Sequence, residues 1–208
     1  MKVAILGMAT GWQDAPWGDP AWERWWLNDA HVMIPKGRTC TAWWELHGDT
    51  PLTRDRRPAN HFEVIKAMDI PVYYLHGDPP TPNAIKLNID ELAAVGRDYF
   101  ACTFAYQIAH AMKLGATEIA LYGVALQTNR EIVVERPCVA YWLGLAEGRG
   151  ITVSSHLLHH PYRYALDDEN ERRWSMYAAM KARESISAWL PREAKRLGLA
   201  EEVDGVPA

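Results

Sequence analysis

Glu118-Ile-Ala-Leu-Tyr-Gly-Val124, followed by Glu135-Arg-Pro137 and then Tyr141-Trp-Leu-Gly-Leu-Ala-Glu-Gly-Arg-Gly-Ile151, reads as a strand, a site and a helix that leads into another strand. The first run is apolar and stops at a glycine. A carboxylate, a guanidinium and two aromatic rings follow just beyond it. In open α/β sheets ligands bind at the carboxyl ends of the strands, so this stretch sets both the fold class and the place to look for chemistry. The helix starts with a proline near its first turn and closes on Gly148-Arg-Gly150.

The same alternation extends in both directions. Lys2 to Gly7 is a short apolar run entering Gly7-Met-Ala-Thr-Gly11, the pattern of a buried first strand. Trp25-Trp-Leu-Asn28 reads as a second strand, Cys40-Thr-Ala-Trp-Trp-Glu-Leu46 as a third, Pro71-Val-Tyr-Tyr-Leu75 as a fourth, and Ala84 to Leu87 as a short fifth. Thr50 to Pro58 is a basic, proline-bounded loop ahead of a helix of about ten residues that begins near Asn60. A helical turn is expected at Ile89 to Val95. Between Cys102 and Leu114, Ala105, Ile108, Ala109 and Met112 recur at helical spacing, and Gly115 sits where a helix ends. These elements predict an α/β fold with a doubly wound, mostly parallel, Rossmann-like sheet over residues 1–160. Residues 161–208 turn from acidic to basic along an amphipathic segment, expected to be a C-terminal helical extension that packs on the domain or forms a homodimer.

Composition narrows the function classes. With 208 residues, 49% of them hydrophobic, the chain can bury a core. A net charge of -4 does not suit a protein that coats nucleic acid, although a local basic groove fits within it. Three widely spaced cysteines give neither a disulfide framework nor a zinc ribbon, and a cytoplasmic setting is the simplest one. No run approaches the roughly 20 apolar residues of a membrane helix, so no membrane partner is expected. Ten tryptophans have two readings, a packed core or a platform for sugars or bases.

The polar residues at the strand ends carry the chemistry. The amides of Gly7, Met8, Ala9, Thr10 and Gly11 either hold a phosphate or form an ordinary β-to-α turn; the dinucleotide glycine pattern and the Walker lysine are both missing. Asn28 and Asp29 sit where such domains read a nucleoside, and Asn28 also suits a plain strand end. Glu45 and His47 alternate along one strand and so share a face. That places a carboxylate beside an imidazole, as a general base with its orienting partner or as a structural pair. Thr103 is either an anion contact or a helix cap. Glu135 and Arg136, near Tyr122, Gly123 and Tyr141, either grip a hydroxylated ligand and a phosphate or pair with surface charges. His156, His159 and His160 lack a completing ligand at a known spacing, so no metal is expected.

Trp26-Leu-Asn-Asp29, Trp44-Glu-Leu-His47, Ile70-Pro-Val-Tyr73, Leu121-Tyr-Gly-Val124 and Glu135-Arg-Pro137, taken with the 141–151 stretch, resemble a family of small bacteriophage-encoded Rossmann-like proteins. More distantly the layout looks like hydroxymethylpterin diphosphokinase-like proteins and the bacterial sialyltransferase fold. The resemblance covers residues 1 to 160 and implies a nucleotide-sugar as co-substrate, with no other cofactor. Two positions depart from the family pattern. Ala125 stands where the family has Asp, and Trp26 where it has Gly.

The expectation is a metal-independent glycosyltransferase acting on a hydroxyl, the favoured acceptor being a hydroxymethylated pyrimidine in phage DNA. His47 and Glu45 are expected to be catalytic. Residues Gly7 to Gly11, Asn28, Asp29, Thr103, Tyr122, Gly123, Glu135, Arg136 and Tyr141 would bind the donor, while Arg54, Arg56, Arg57 and Trp43 would meet DNA. A nucleotide-binding phage protein without catalysis, favoured by Ala125, and a Mg-dependent diphosphokinase are the competing classes.

Overall fold

The computed structural model describes residues 1–35, 37–127, 131–155 and 157. The expected extension over 161–208, the dimer built on it, and the histidines at 156, 159 and 160 lie outside the described residues. Among the described residues seven strands form one sheet: β1 (Lys2–Leu6), β2 (Trp22–Leu27), β3 (Ala42–Trp44), β4 (Val72–Tyr74), β5 (Ala84–Lys86), β6 (Glu118–Tyr122) and β7 (Thr152–Ser154), in the order β5-β4-β3-β2-β1-β6-β7. Every pairing is parallel, so the sheet is wholly rather than mostly so, and the fold is Rossmann-like α/β. The chain builds outward from β1 to β5 and then returns to place β6 on the other side of β1. The strand order therefore reverses between β1 and β6.

The helices are α1 (Pro51–Arg54), α2 (His61–Lys66), α3 (Ile89–Ala93), α4 (Thr103–Lys113) and α5 (Arg136–Gly148). Several boundaries differ from the sequence reading. Strand β2 starts at Trp22 rather than Trp25, because its edge pairs with β1 from Lys2 onward. The basic loop contains the one-turn helix α1, started by Pro51 and by Thr50 Oγ1, which accepts from the Thr53 amide at 3.2 Å. Helix α2 is shorter than expected, ending at Lys66, well ahead of Pro71, which leads into β4.

Helices α4 and α5 end in the same way. Beyond α4 the amide of Gly115 bonds the Met112 carbonyl (3.0 Å) and that of Ala116 the Ala111 carbonyl (2.9 Å). Beyond α5 Gly150 and Ile151 repeat this on Glu147 (2.9 Å) and Ala146 (3.1 Å). Both glycines have φ near the left-handed region, 75° and 80°. These Schellman closures turn each helix straight into the next strand, β6 or β7.

Consecutive tryptophans build a core on each face of the sheet. Side chains alternate along a strand, so Trp25 and Trp26 point to opposite faces, as do Trp43 and Trp44. On one face Trp25 and Trp44 lie 5.5 Å apart, and Trp44 stacks on Tyr73 at 4.5 Å. His110 of α4 packs edge-on to that Tyr73 at 4.8 Å. On the other face Trp26 meets Trp12 (5.1 Å), Trp17 (5.5 Å) and Trp43 (6.4 Å). Trp25, Trp26, Trp43 and Trp44 are fully buried. Of the two readings of the tryptophans the core holds for these four, and Trp43 is not placed to stack on an extruded base.

His110 is buried with neither ring nitrogen hydrogen-bonded by the described residues, and burial pushes its pKa down to about 4. A histidine whose folded pKa lies below its unfolded value of 6.5 takes a proton more readily in the unfolded chain, so stability falls as pH drops from about 6.5 toward 4. His110→Phe should flatten that fall. Thermal melts of both proteins between pH 7.5 and pH 4 check it; equal pH slopes would contradict the assignment.

Candidate functional site

The loop after β1 is fastened to β6 where the strand order reverses. The Gly7 amide donates to the Tyr122 carbonyl and the Ala9 amide to the Gly123 carbonyl, both at 2.8 Å, which carries the β1–β6 pairing past the strand ends. A Cβ on Gly7 would lie 2.2 Å from the Gly123 oxygen. A Cβ on Gly123, whose φ is 65°, would lie 2.5 Å from the Ala9 oxygen. The glycines are there for this contact. It also corrects the expected phosphate cradle: the amides of Gly7 and Ala9 are spent on β6, and that of Gly11 donates to Gln13 Oε1 at 3.1 Å. Met8 and Thr10 remain as the exposed part of the loop.

The same stitching continues to β2 and β3. Trp26 Nε1 donates to the Gly7 carbonyl (3.0 Å), Trp43 Nε1 to the Asn28 carbonyl (3.2 Å), and the Asn28 amide to the Trp44 carbonyl (3.0 Å). Asn28 has φ 54°, a left-handed turn that asparagine tolerates, and it diverts the chain into a 3₁₀ turn at Ala30–Met33. Its Oδ1 is buried with no hydrogen bond from the described residues. Asp29 beside it accepts from Arg57 Nη1 at 2.6 Å in a half-buried ion pair. Arg57 is thus turned inward, against the expected DNA contact, and Asp29 is not a free ligand for a ribose. Arg54 is exposed but chelates Asp49 at 2.5 and 2.7 Å, and Arg56 is exposed.

Glu45 is the most constrained polar residue at this edge. Its side chain is 1% exposed, as is that of His61, and Oε2 lies 2.8 Å from His61 Nε2. Oε1 accepts the His47 amide at 3.1 Å. The expected Glu45–His47 imidazole pair is therefore corrected: folding back onto its own chain leaves the carboxylate facing α2, and the ring it orients is that of His61. His61 Nδ1 in turn lies 2.9 Å from His31 Nε2, with the ring centroids 5.1 Å apart and the planes inclined by 28°. His31 belongs to the 3₁₀ turn after β2 and is half-buried beside Trp43. Both His31 and His47 have lowered pKa values, with burial the largest cause in each and Glu45 opposing it.

The other expected site residues stand on separate elements. Tyr122 closes β6, half-buried, with burial raising its phenol pKa. Arg136 is the first residue of α5, which grows out of a wide helical turn at Glu131–Glu135. Thr103 is likewise the first residue of α4 rather than its cap, since Cys102 holds that position. Tyr141 packs edge-on to Tyr99 (5.7 Å) and Trp142 (5.3 Å). Hydrogen bonds unite the loops of Gly7, Tyr122 and Gly123, Asn28, Asp29, Glu45 and His47; none of these bonds reaches Thr103 or Tyr141. Sequence reasoning passed over His31 and His61. No local spacing joins them to Glu45, and only the packing of α2 under β3 does so.

These elements define an α/β protein with a polar cluster at the carboxyl edge of its sheet, next to the point where strand order reverses. No family model matches the chain, and no curated protein does. Solved structures with a similar course include the sialyltransferase CstII from Campylobacter jejuni in complex with a substrate analogue, cytidine-5'-monophosphate, at 12% identity and a TM-score of 0.47, covering 84% of this chain and 98% of that one. A second, the same sialyltransferase with a trisaccharide acceptor and CMP, has 12% identity and a TM-score of 0.44 over 84% and 99%. No helix among the described residues is long and apolar enough to cross a membrane.

Removing the Glu45 side chain would leave His61 buried with no carboxylate to face. Glu45→Ala should destabilise the protein by about 2 kcal/mol, as leaving a buried N–H donor without its acceptor does. Urea unfolding followed by tryptophan fluorescence measures it; a change under about 0.5 kcal/mol, the range of ordinary surface substitutions, would show that the pair is not held as described.

Proposed function

We propose that this chain is a glycosyltransferase that moves a sugar from a nucleotide-sugar to a hydroxyl. The reading is carried by one observation: the loops after β1, β2 and β3 are bonded together beside the strand-order reversal, and a buried carboxylate is joined by hydrogen bonds through His61 to His31 among them. The first part suits a nucleotide at the sheet edge and the second a base for a hydroxyl nucleophile. In the reaction the acceptor oxygen attacks the anomeric carbon, the bond from that carbon to the phosphate oxygen breaks, and its electron pair stays on the nucleotide. Met8, Thr10, Asn28, Tyr122 and Arg136 are the donor contacts in this proposal, with Thr103, Glu135 and Tyr141 toward the sugar.

The proposal keeps the transfer metal-independent. Asp29 and Glu45, the carboxylates of the cluster, are committed to Arg57 and His61. For the acceptor, a hydroxymethylated pyrimidine of phage DNA remains the first compound to try, with Arg54 and Arg56 as its exposed basic neighbours. Ala125 supports a second reading, in which the protein binds a nucleotide without turning it over, because the resembling family places a carboxylate there.

Calorimetry with CMP, UDP, GDP and TDP, and mass spectrometry of hydroxymethylated DNA and simple glycosides incubated with the matching nucleotide-sugars, test both readings. Micromolar binding with product supports transfer, binding without product supports the second reading, and no binding to any nucleotide defeats both. With an active donor in hand, Arg136→Ala should raise the donor KM roughly tenfold, the loss of one charge-assisted contact.

A further inference from the structure

With Glu45 a carboxylate and His61 a neutral imidazole, the line Glu45, His61, His31 admits one arrangement of protons. An ionised carboxylate only accepts, so the bond between Glu45 Oε2 and His61 Nε2 at 2.8 Å requires the hydrogen on Nε2. In neutral His61 the other nitrogen, Nδ1, is then a lone pair. His31 Nε2, 2.9 Å away, must donate to it. That in turn leaves the lone pair of His31 on Nδ1, which has no hydrogen-bond partner among the described residues. In that arrangement two fully enclosed groups hold a half-buried imidazole in one tautomer, with its basic nitrogen the one that is not bonded to His61.

We infer that His31 is the catalytic base at this edge of the sheet, its Nδ1 taking the proton from the hydroxyl substrate, with His61 and Glu45 as positioning residues. The inference rests on the transferase reading and replaces His47 in it. As the acceptor oxygen bonds to the anomeric carbon, the hydroxyl proton passes to His31 Nδ1 and the nucleotide leaves with the electron pair of the broken bond. The imidazolium so formed donates to His61 through Nε2 while the Glu45 carboxylate holds the opposite end of His61. The groups facing His31 are His61 from α2, Asp29 at the head of its own turn, Glu45 after β3 and Arg57 ahead of α2. Asp29 and Glu45 favour its charged form, and His61 and Arg57 oppose it. Burial lowers the pKa from the ordinary 6.5, which keeps the ring unprotonated and able to accept at neutral pH.

The tautomer is measurable without any substrate. Two-bond ¹H–¹⁵N spectra of the full chain at pH 7.5 should show His31 protonated on Nε2 and bare on Nδ1, and Glu45→Gln, which can no longer dictate the direction of the bonds, should mix the tautomers. His31 protonated on Nδ1 in the wild-type protein overturns the inference. Where transfer is detected, His31→Asn should lower kcat about 100-fold or more with nucleotide affinity unchanged. In Glu45→Gln the acidic limb of kcat/KM should move to lower pH, because a group that favours imidazolium has been neutralised. An unshifted limb, or a His31→Asn variant that keeps wild-type kcat, overturns the inference even if the variants fold normally by circular dichroism. No transfer with any donor removes the transferase reading, and the spectra still decide whether His31 presents a proton-accepting nitrogen.

Discussion

The approach of two backbones at Gly7 and Gly123 is the constraint on which the rest of this molecule depends. A Cβ on either residue would run into a carbonyl oxygen, so neither position accepts a side chain without moving the loop. Because they meet, the β1–β6 pairing continues beyond the sheet, and the Gly7 carbonyl is left facing β2, where Trp26 donates to it. The next strand repeats the device, with Trp43 donating to Asn28. Indole N–H groups thus register two successive loops against the neighbouring strands while their rings fill the core. The tryptophans serve packing and hydrogen bonding at once, which is the usual reason this residue is used where one end of a side chain must stay polar.

On this scaffold a buried carboxylate decides the local chemistry. Glu45 is enclosed, and an enclosed carboxylate needs donors. It finds one in the amide of His47 and one in the ring of His61, so the end of β3 and the start of α2 are held to each other by polar contacts inside an apolar layer. The Asp29–Arg57 pair does the same between the turn after β2 and the segment before α2. One ion pair and one carboxylate–imidazole hydrogen bond therefore connect the β2–β3 side of the carboxyl edge to α2 and the segment before it. The basic stretch 54–57, read from sequence as a DNA-contacting loop, thus gives Arg57 to a half-buried pair, while Arg54 pairs with Asp49 at the surface.

The alternation of apolar runs with glycine and polar ends made the parallel α/β sheet legible from the sequence, because a strand buried on both faces needs a continuous apolar run. The ends of α4 and α5 were legible for a local reason too: a Schellman closure needs a residue with positive φ, and Gly115 and Gly150 supply it. Asn28 could be placed at a strand end from its own conformational preferences. What these signals share is that the physics operates within a few residues. The partner of Glu45 is a different matter. His47 lies two residues on and His61 sixteen, and sequence proximity favours the wrong one.

The sequence by itself determined the sheet, its parallel strands, the edge at which function is sought and the places where helices stop, since periodicity and backbone preference are local properties. Tertiary structure alone decided which polar groups face each other: that Trp43 lies in the core, that Arg57 turns inward to Asp29, that the Gly7 and Ala9 amides are consumed by β6, and that Glu45 points at His61 and through it at His31. Those pairings follow from how α2 and the turn after β2 pack on the sheet. Burial then forces each charge and each N–H to find whichever partner that packing has brought within reach.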